Sequence, residues 1–378
     1  MKKSSSLTNK NKNQFEIIKA SSEIDNQWLS YISEHNNAII YHHPLWLKLL
    51  EVETKIHVLR IVCKDRQGKI TGVLPLQYTR GMPLNVGGLV TSPRISSLPR
   101  TPTAGVLADN DEITKRLVHF VINDMDLKGK FNIQLKTPTP EMYDNIEGLR
   151  KISWRDNYSL ELPSDENSLM FGSSRNHRRI KWAINKAIKS GIIIRKAESE
   201  EDLMQWYKLY LLTSQWHTIP ARSFIFFKTL WSLMKDKGLF QLLLAEFNEG
   251  GKKRIIAGSV FLMFNRTVFY SYNGRDTNYL NLRPNDYLQW EAIHQACREG
   301  FKYYDMGEVS DGQTGLADFK RKWGCEVGKI FHYYASHQIN SDKIDLNHTG
   351  KGNLLTHIWR KLPVNLTEKL GSYINNRL

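Results

Sequence analysis

IIAGSVFLMFNRTVFYSYNGR, residues 255–275, is apolar, β-branched or aromatic almost throughout and is interrupted at Asn265-Arg266. It reads as two strands joined by a tight turn. The strand FQLLLAEFN, residues 240–248, comes just before it, so three strands follow one another. DYLQWEAIHQACREGFKYYDMG, residues 286–307, then has helical spacing up to Glu299, a stop at Gly300 and the strand KYYDMG. A strand reached through a helix marks an α/β crossover, so the fold class is α/β.

Working outward, Ser173 to Ser190 puts Ile180, Ala183, Ile184, Ala187 and Ile188 on one helical stripe and ends at Gly191. IIIRKA reads as a strand, and two helices follow, about Glu200 to Thr213 and Ser223 to Lys237. IFHYYASHQ is the last strand. The first half repeats this layout without a residue-level repeat. Helices fall at Glu23 to Glu34 and Pro44 to Val52, strands in KIHVLRIVCKD and GKITGVLPLQYTR around the turn Arg66-Gln67-Gly68. A Gly/Pro/Ser-rich loop runs from Gly81 to Gly105, Glu112 to Met125 is an amphipathic helix, and KFNIQLKT and Trp154 to Leu162 are strands. The expected organisation is a disordered lead-in at 1–14 and two tandem domains at 15–165 and 166–340. A polar linker and an amphipathic basic tail follow at 341–378.

The chain has 378 residues, 41% hydrophobic, 11% aromatic and 24% charged, the balance of a packed globular protein. Three distant cysteines, Cys63, Cys297 and Cys325, show no paired or metal-like spacing, which fits a reduced, cytoplasmic protein. No apolar run of about 18 residues exists to span a membrane. GxGxxG after a strand, GxxxxGK[ST], HExxH and GxSxG are all absent, so neither a metal site nor nucleotide hydrolysis is expected. His42-His43 before Pro44 reads as the start of a helix. Lys and Arg number 53 against 38 acids, a net charge of +15. Residues 172–196 carry eight basic side chains and no acid. Such one-sidedness points to a polyanion, with solubility alone as the other reading.

Several segments in order carry a family likeness: SSRNHRRIKWAINKAIKSGI, TSQWHTIPARSFIFFKTLW, IIAGSVFLMFNRTVFYSYNG, LRPNDYLQWEAIHQACREGFKYYDMG and GLADFKRKWG. With YHHPLWLKLLE and GVLPL in the first half, they resemble the FemAB-like group of the GNAT acyltransferase superfamily over about residues 40–335. The resemblance implies two tandem GNAT-like domains, each a mixed sheet flanked by helices, with the last strand, about 326–338, returning to the first. It also implies acyl transfer to an amine, in known members from aminoacyl-tRNA to a peptidoglycan precursor, in others on amino sugars or in exopolysaccharide pathways.

Attack of an amine on an ester or thioester puts negative charge on the carbonyl oxygen, which a nearby cation stabilises. Lys320 matches the family's FK motif, where the lysine is thought to fill that role, with Phe319 packing beside the acyl end. The bland reading is a solvated basic turn of Lys320, Arg321 and Lys322. Asp305 and Glu308, at the end of KYYDMGEV with Asp311 beyond, are the candidates for a general base. A structural role, fixing the loop after the strand, is the alternative for Asp305. Arg178, Arg179 and Lys181 follow a helix start at Ser173-Ser174 and suit phosphate, in a nucleotide- or lipid-linked saccharide acceptor or in a tRNA backbone. Arg222 in IPAR and Arg275 in YNGR are further cleft candidates.

A CoA-using GNAT protein has a glycine-rich loop before the helix at Asp286, whereas this chain has Asn281-Leu282-Arg283-Pro284-Asn285. Aminoacyl-tRNA is therefore the expected donor, acyl-CoA is less favoured, and no tightly bound cofactor is expected. The tail from His357 carries Ile358, Trp359, Leu362, Leu366, Leu370 and Ile374 among basic residues. It suits either peripheral contact with an anionic membrane or docking on the protein's own core. Two other functions stay open: an acetyl-CoA-dependent amino-sugar N-acetyltransferase, and a non-catalytic basic module that binds RNA or anionic membrane.

Overall fold

The computed structural model describes residues 15–82, 92–124, 131–335, 357 and 359–377. The first half holds β1 (Phe15–Ala20), α1 (Asp25–Glu34), α2 (Pro44–Thr54), β2 (Val58–Asp65) and β3 (Ile70–Thr79). It continues with β4 (Arg94–Ser96), β5 (Leu107–Ala108), α3 (Asp111–His119), β6 (Asn132–Thr137) and β7 (Arg150–Glu161). The second half holds α4 (Ser174–Lys189), β8 (Ile193–Lys196), α5 (Glu200–Trp216), α6 (Phe224–Met234), β9 (Phe240–Glu249), β10 (Lys252–Phe264) and β11 (Thr267–Arg275). Then come α7 (Pro284–Arg298), β12 (Tyr303–Val309), α8 (Thr314–Lys322), β13 (Glu326–Ala335) and α9 (Val364–Asn375).

All the strands join one mixed sheet in the order β1-β2-β3-β4-β6-β13-β7-β12-β11-β10-β9-β8, with β5 on β3. The order reads alike from either edge. In each half an antiparallel run ends in one parallel pair, β4 with β6 and β11 with β12. The halves then exchange their last strands. β7 of the first half pairs with β12, β13 of the second pairs with β6, and β7 and β13 pair with each other. Strands thus cross the boundary expected at 165/166 in both directions.

Helix packing follows the same symmetry. α1 and α2 share one core with α5 and α6, built on Trp28, Trp46, Trp206, Phe226 and Phe227. α3 covers the first half through Ile113 and Leu117, and α4 and α7 cover the second through Ile180, Ile184 and Ile293. The shared core buries apolar surface from both halves and joins them as one body. The mixed α/β class expected from the sequence is the one observed.

Three local expectations differ. Pairing with β6 draws the three-residue strand β4 out of the stretch read as a loop from Gly81 to Gly105, part of which lies outside the described residues. The helix expected to reach Met125 is α-helical only to His119 and widens into a π turn over Phe120–Asp124. Met125 lies outside the described residues. The FK segment is a helix, not a turn. His43 does cap the start of α2, where its Nδ1 accepts from Leu45 N–H, and His42 ends the short 3-10 turn just before it.

Candidate active site

β11 and β12 run parallel for three residue pairs, ending at Phe269 and Asp305. β12 then bulges through Gly307, whose φ of +78° suits glycine. Three side chains gather where the strands part. Asp305 Oδ2 accepts from Asn157 Nδ2 at 3.0 Å, and its Oδ1 accepts from Gly307 N at 2.6 Å. Glu308 pairs with Arg155 at 2.9 Å through Oε1, and its Oε2 is buried without a hydrogen-bond partner. Tyr41 comes across from the first half, packs its ring 5.3 Å from Phe269 and meets Ser271 near both carboxylates.

Lys320 enters from the last turn of α8. It is 3% exposed, and its Nζ donates to the carbonyls of Gly307 (2.9 Å) and Glu308 (3.1 Å), over the ring of Tyr158. Burial pushes its pKa down to about 8, against the pull of Asp305 and Glu308. The solvated-turn reading is therefore wrong for Lys320, although Arg321 pairs with exposed Asp318 and Lys322 with Asp286. Burial likewise raises the pKa of Asp305. Phe319 lies against the second-half core, 6.4 Å from Trp323.

Arg178, Arg179 and Lys181 stand exposed on the outer face of α4. Ser173 Oγ caps this helix by accepting from Asn176 N–H, and Gly172 just before it lies against Gly324 at the end of α8. Exposed Trp182 on the same face lies 5.6 Å from both the Lys186 ammonium and the Arg283 guanidinium. Arg222 is not on an open cleft wall. It is 1% exposed, ion-paired with Glu53 of the first half, and donates to the Arg100 carbonyl at 3.0 Å. Burial opposes its charge, and Glu53 more than compensates, so its pKa is raised. Arg275 contacts His217 at 3.1 Å at the end of β11.

The matching place in the first half also holds a buried lysine. Past the β4–β6 pairing, Lys136 Nζ reaches the carbonyls of Leu98 (2.6 Å) and Thr101 (2.7 Å), and burial lowers its pKa to about 7. Sequence reading missed Lys136, Tyr41, Asn157 and Arg155. A lysine inside the apolar run NIQLKT was a usable signal. The other three reach the site only through strand exchange and the shared core. Among the described residues no group of three His, Cys, Asp or Glu side chains is placed to hold a metal ion. No helix among them is long and apolar enough to cross a membrane.

Residues 174–321 match the family model of the GNAT acetyltransferase domain. No curated protein matches the chain in sequence. Among solved structures, FemX is similar with a TM-score of 0.66 at 14% identity, over 84% of this chain and 96% of that one. The C-terminal domain of a candidate lysylphosphatidylglycerol synthetase from Agrobacterium fabrum gives 0.55 at 9% identity, over 83% and 92%. L-PGS from Bacillus licheniformis gives 0.52 at 12%, over 84% and 92%. At these identities the likeness is one of fold. The family match runs from α4 to α8 and takes in Asp305, Glu308 and Lys320. The chain is thus a GNAT-fold protein that resembles the FemAB-like group, with its GNAT acetyltransferase-type domain at residues 174–321.

Proposed function

We propose that this chain is an aminoacyltransferase, moving an aminoacyl group from tRNA to an amine of a cell-envelope or exopolysaccharide precursor. The observation that carries the transfer step is the Lys320 ammonium, buried at the point where β11 and β12 part. An ammonium has three N–H groups, and the Gly307 and Glu308 carbonyls engage two. The third serves the oxyanion that forms when the amine attacks the ester carbonyl. Collapse of that intermediate forms the amide and releases the tRNA hydroxyl. Asp305 is engaged by Asn157 and the Gly307 N–H, so it acts first as the anchor of the loop that presents those carbonyls.

The start of α7 supports this choice of donor. Its first turn has Pro284, which lacks an N–H, and Asp286, which is already ion-paired with Lys322. A carboxylate at the positive end of a helix occupies the place a pyrophosphate needs, which disfavours CoA. The exposed basic face of α4, with Trp182 between two cations, suits a nucleic-acid backbone and its terminal base. One of the similar structures is named for joining a lysyl group to phosphatidylglycerol. The acetyltransferase description of the family model favours acetyl-CoA as the second reading.

The test is label transfer by the purified chain into a lipid-rich cell extract, from a mixed aminoacyl-tRNA pool and separately from acetyl-CoA. Transfer from tRNA that depends on Lys320 is expected. Transfer only from acetyl-CoA overturns the donor assignment in favour of an amino-sugar N-acetyltransferase. Transfer from neither favours a non-catalytic basic module.

A further inference from the structure

Helix α9 is seated with its small, polar side inward. Its buried positions are Thr367, Gly371 and Asn375, one turn apart on one face. Gly371 rests on the Ala221 backbone, where a Cβ would come within 2.6 Å of the nitrogen. Asn375 Nδ2 donates to the carbonyls of Ala221 (2.6 Å) and Pro220 (3.3 Å). The approach to the helix is tied down as well. Gln215 Nε2 donates to the Leu362 carbonyl at 2.6 Å, and Arg360 Nε donates to the Trp216 carbonyl at 2.9 Å.

The large apolar residues are consequently left outside. Leu366, Leu370 and Tyr373, at helical spacing, are 42%, 38% and 48% exposed. Trp216 at the end of α5, under Arg360 in the approach to α9, is 56% exposed, and Ile219, next to the segment α9 lies on, is 51% exposed. An ordinary surface helix does the reverse, because leucine gains more from burial than threonine, glycine or asparagine. A contiguous apolar surface of this kind marks a place of interaction.

Its charges identify the partner. Arg360, Lys361, Lys369 and Arg377 surround the patch, and the single acid of residues 359–377, Glu368, accepts from the Tyr207 hydroxyl at 2.8 Å. Arg360 lies 5.3 Å over the Trp216 ring and Arg377 4.8 Å over the Tyr373 ring. We propose that the outward face of α9, with Trp216 and Ile219, seats the protein on an anionic lipid bilayer. Apolar side chains enter the boundary between headgroups and acyl chains, while the flanking cations meet lipid phosphates. A second copy of the chain is a poor occupant, since a two-fold contact would set these four cations against themselves. The proposal is independent of which acyl donor is used.

The test is flotation of the full chain with vesicles of phosphatidylcholine, with and without phosphatidylglycerol. Binding to the anionic vesicles is expected, weakening as salt rises. The combined changes Leu366→Ser, Leu370→Ser and Tyr373→Ser should reduce it more than about tenfold, while the protein stays folded with a melting temperature lowered by only a few degrees, because none of the three side chains is buried. As a second variant, Arg178→Ala with Arg179→Ala on α4 should leave most of the binding intact. Three results would overturn the proposal. One is no binding to anionic vesicles, and another is binding that follows α4 and ignores α9. The third is a concentration-dependent dimer that the α9 changes abolish.

Discussion

Replacing Lys320 by methionine removes the ammonium while keeping a side chain of similar reach. Its pKa falls from an ordinary 10.5 to about 8 on burial, equivalent to a cost of about 3 kcal/mol for holding the charge inside. Methionine removes that cost but leaves the Gly307 and Glu308 carbonyls without their donor, at about 1–3 kcal/mol each. The two effects nearly cancel, so the melting temperature should move by no more than about 4 °C in either direction. Turnover should behave differently, because loss of one oxyanion donor costs about 10²–10³ in rate.

Protonation gives the same experiment a second signature. The native pKa of Lys320 lies below its unfolded value, so the ammonium is present below about pH 8 and is lost above it. Transfer should therefore decline as pH rises through about 8. Between about 8 and 10.5 the unfolded chain binds the extra proton, so the parent gains stability with rising pH there, and Lys320→Met should not. The assay is initial rate of label transfer against pH, with thermal melts at each pH. Turnover within about threefold of the parent would refute the catalytic assignment. So would a loss of turnover matched by a collapse in melting temperature.

Asp305→Asn should shift the alkaline limb below pH 8, because the Asp305 carboxylate raises the pKa of Lys320; an unmoved limb would separate the two groups. Arg178→Ala with Arg179→Ala should raise the KM for aminoacyl-tRNA and flatten the salt dependence of its binding, at constant melting temperature, since both side chains are exposed. An unchanged KM would remove α4 from substrate binding. Gly324→Ala should cost at least about 2 kcal/mol in denaturant unfolding, because Gly324 has φ +82° and a Cβ there would collide with the Gly172 backbone. Wild-type stability in that variant would contradict the close contact between α4 and α8.

Much of the element sequence was legible because strands and helices announce themselves locally. β9 to β12 and α7 show the period of their apolar residues and the turns that stop them, and α4 shows both its stripe and its charge. β4 did not show, since its three residues lie among turn-formers and exist as a strand only through pairing with β6. The same limit applied to the FK segment. Its nine helical residues bury Ala317 and Lys320 alone, too little apolar pattern to mark a helix. Arg222 looked like a cleft residue because a sequence does not show that Glu53, from the other half, lies against it.

The amino-acid sequence alone determined the α/β class, the two similar halves, the concentration of positive charge on α4 and the candidate pair of Lys320 with the end of β12. Each of these depends on local periodicity, composition or a short motif. Tertiary structure decided which side chains meet where the parallel strands part. Past the β4–β6 pairing Lys136 meets the carbonyls of Leu98 and Thr101, while the second-half site is assembled from Lys320, Asp305 and Glu308 with Asn157, Arg155 and Tyr41 from the first half. It also turned the leucines of α9 outward, because only Gly371 allows that helix to lie on the backbone of Ala221. Both outcomes rest on contacts between residues far apart in the chain, which no local pattern encodes.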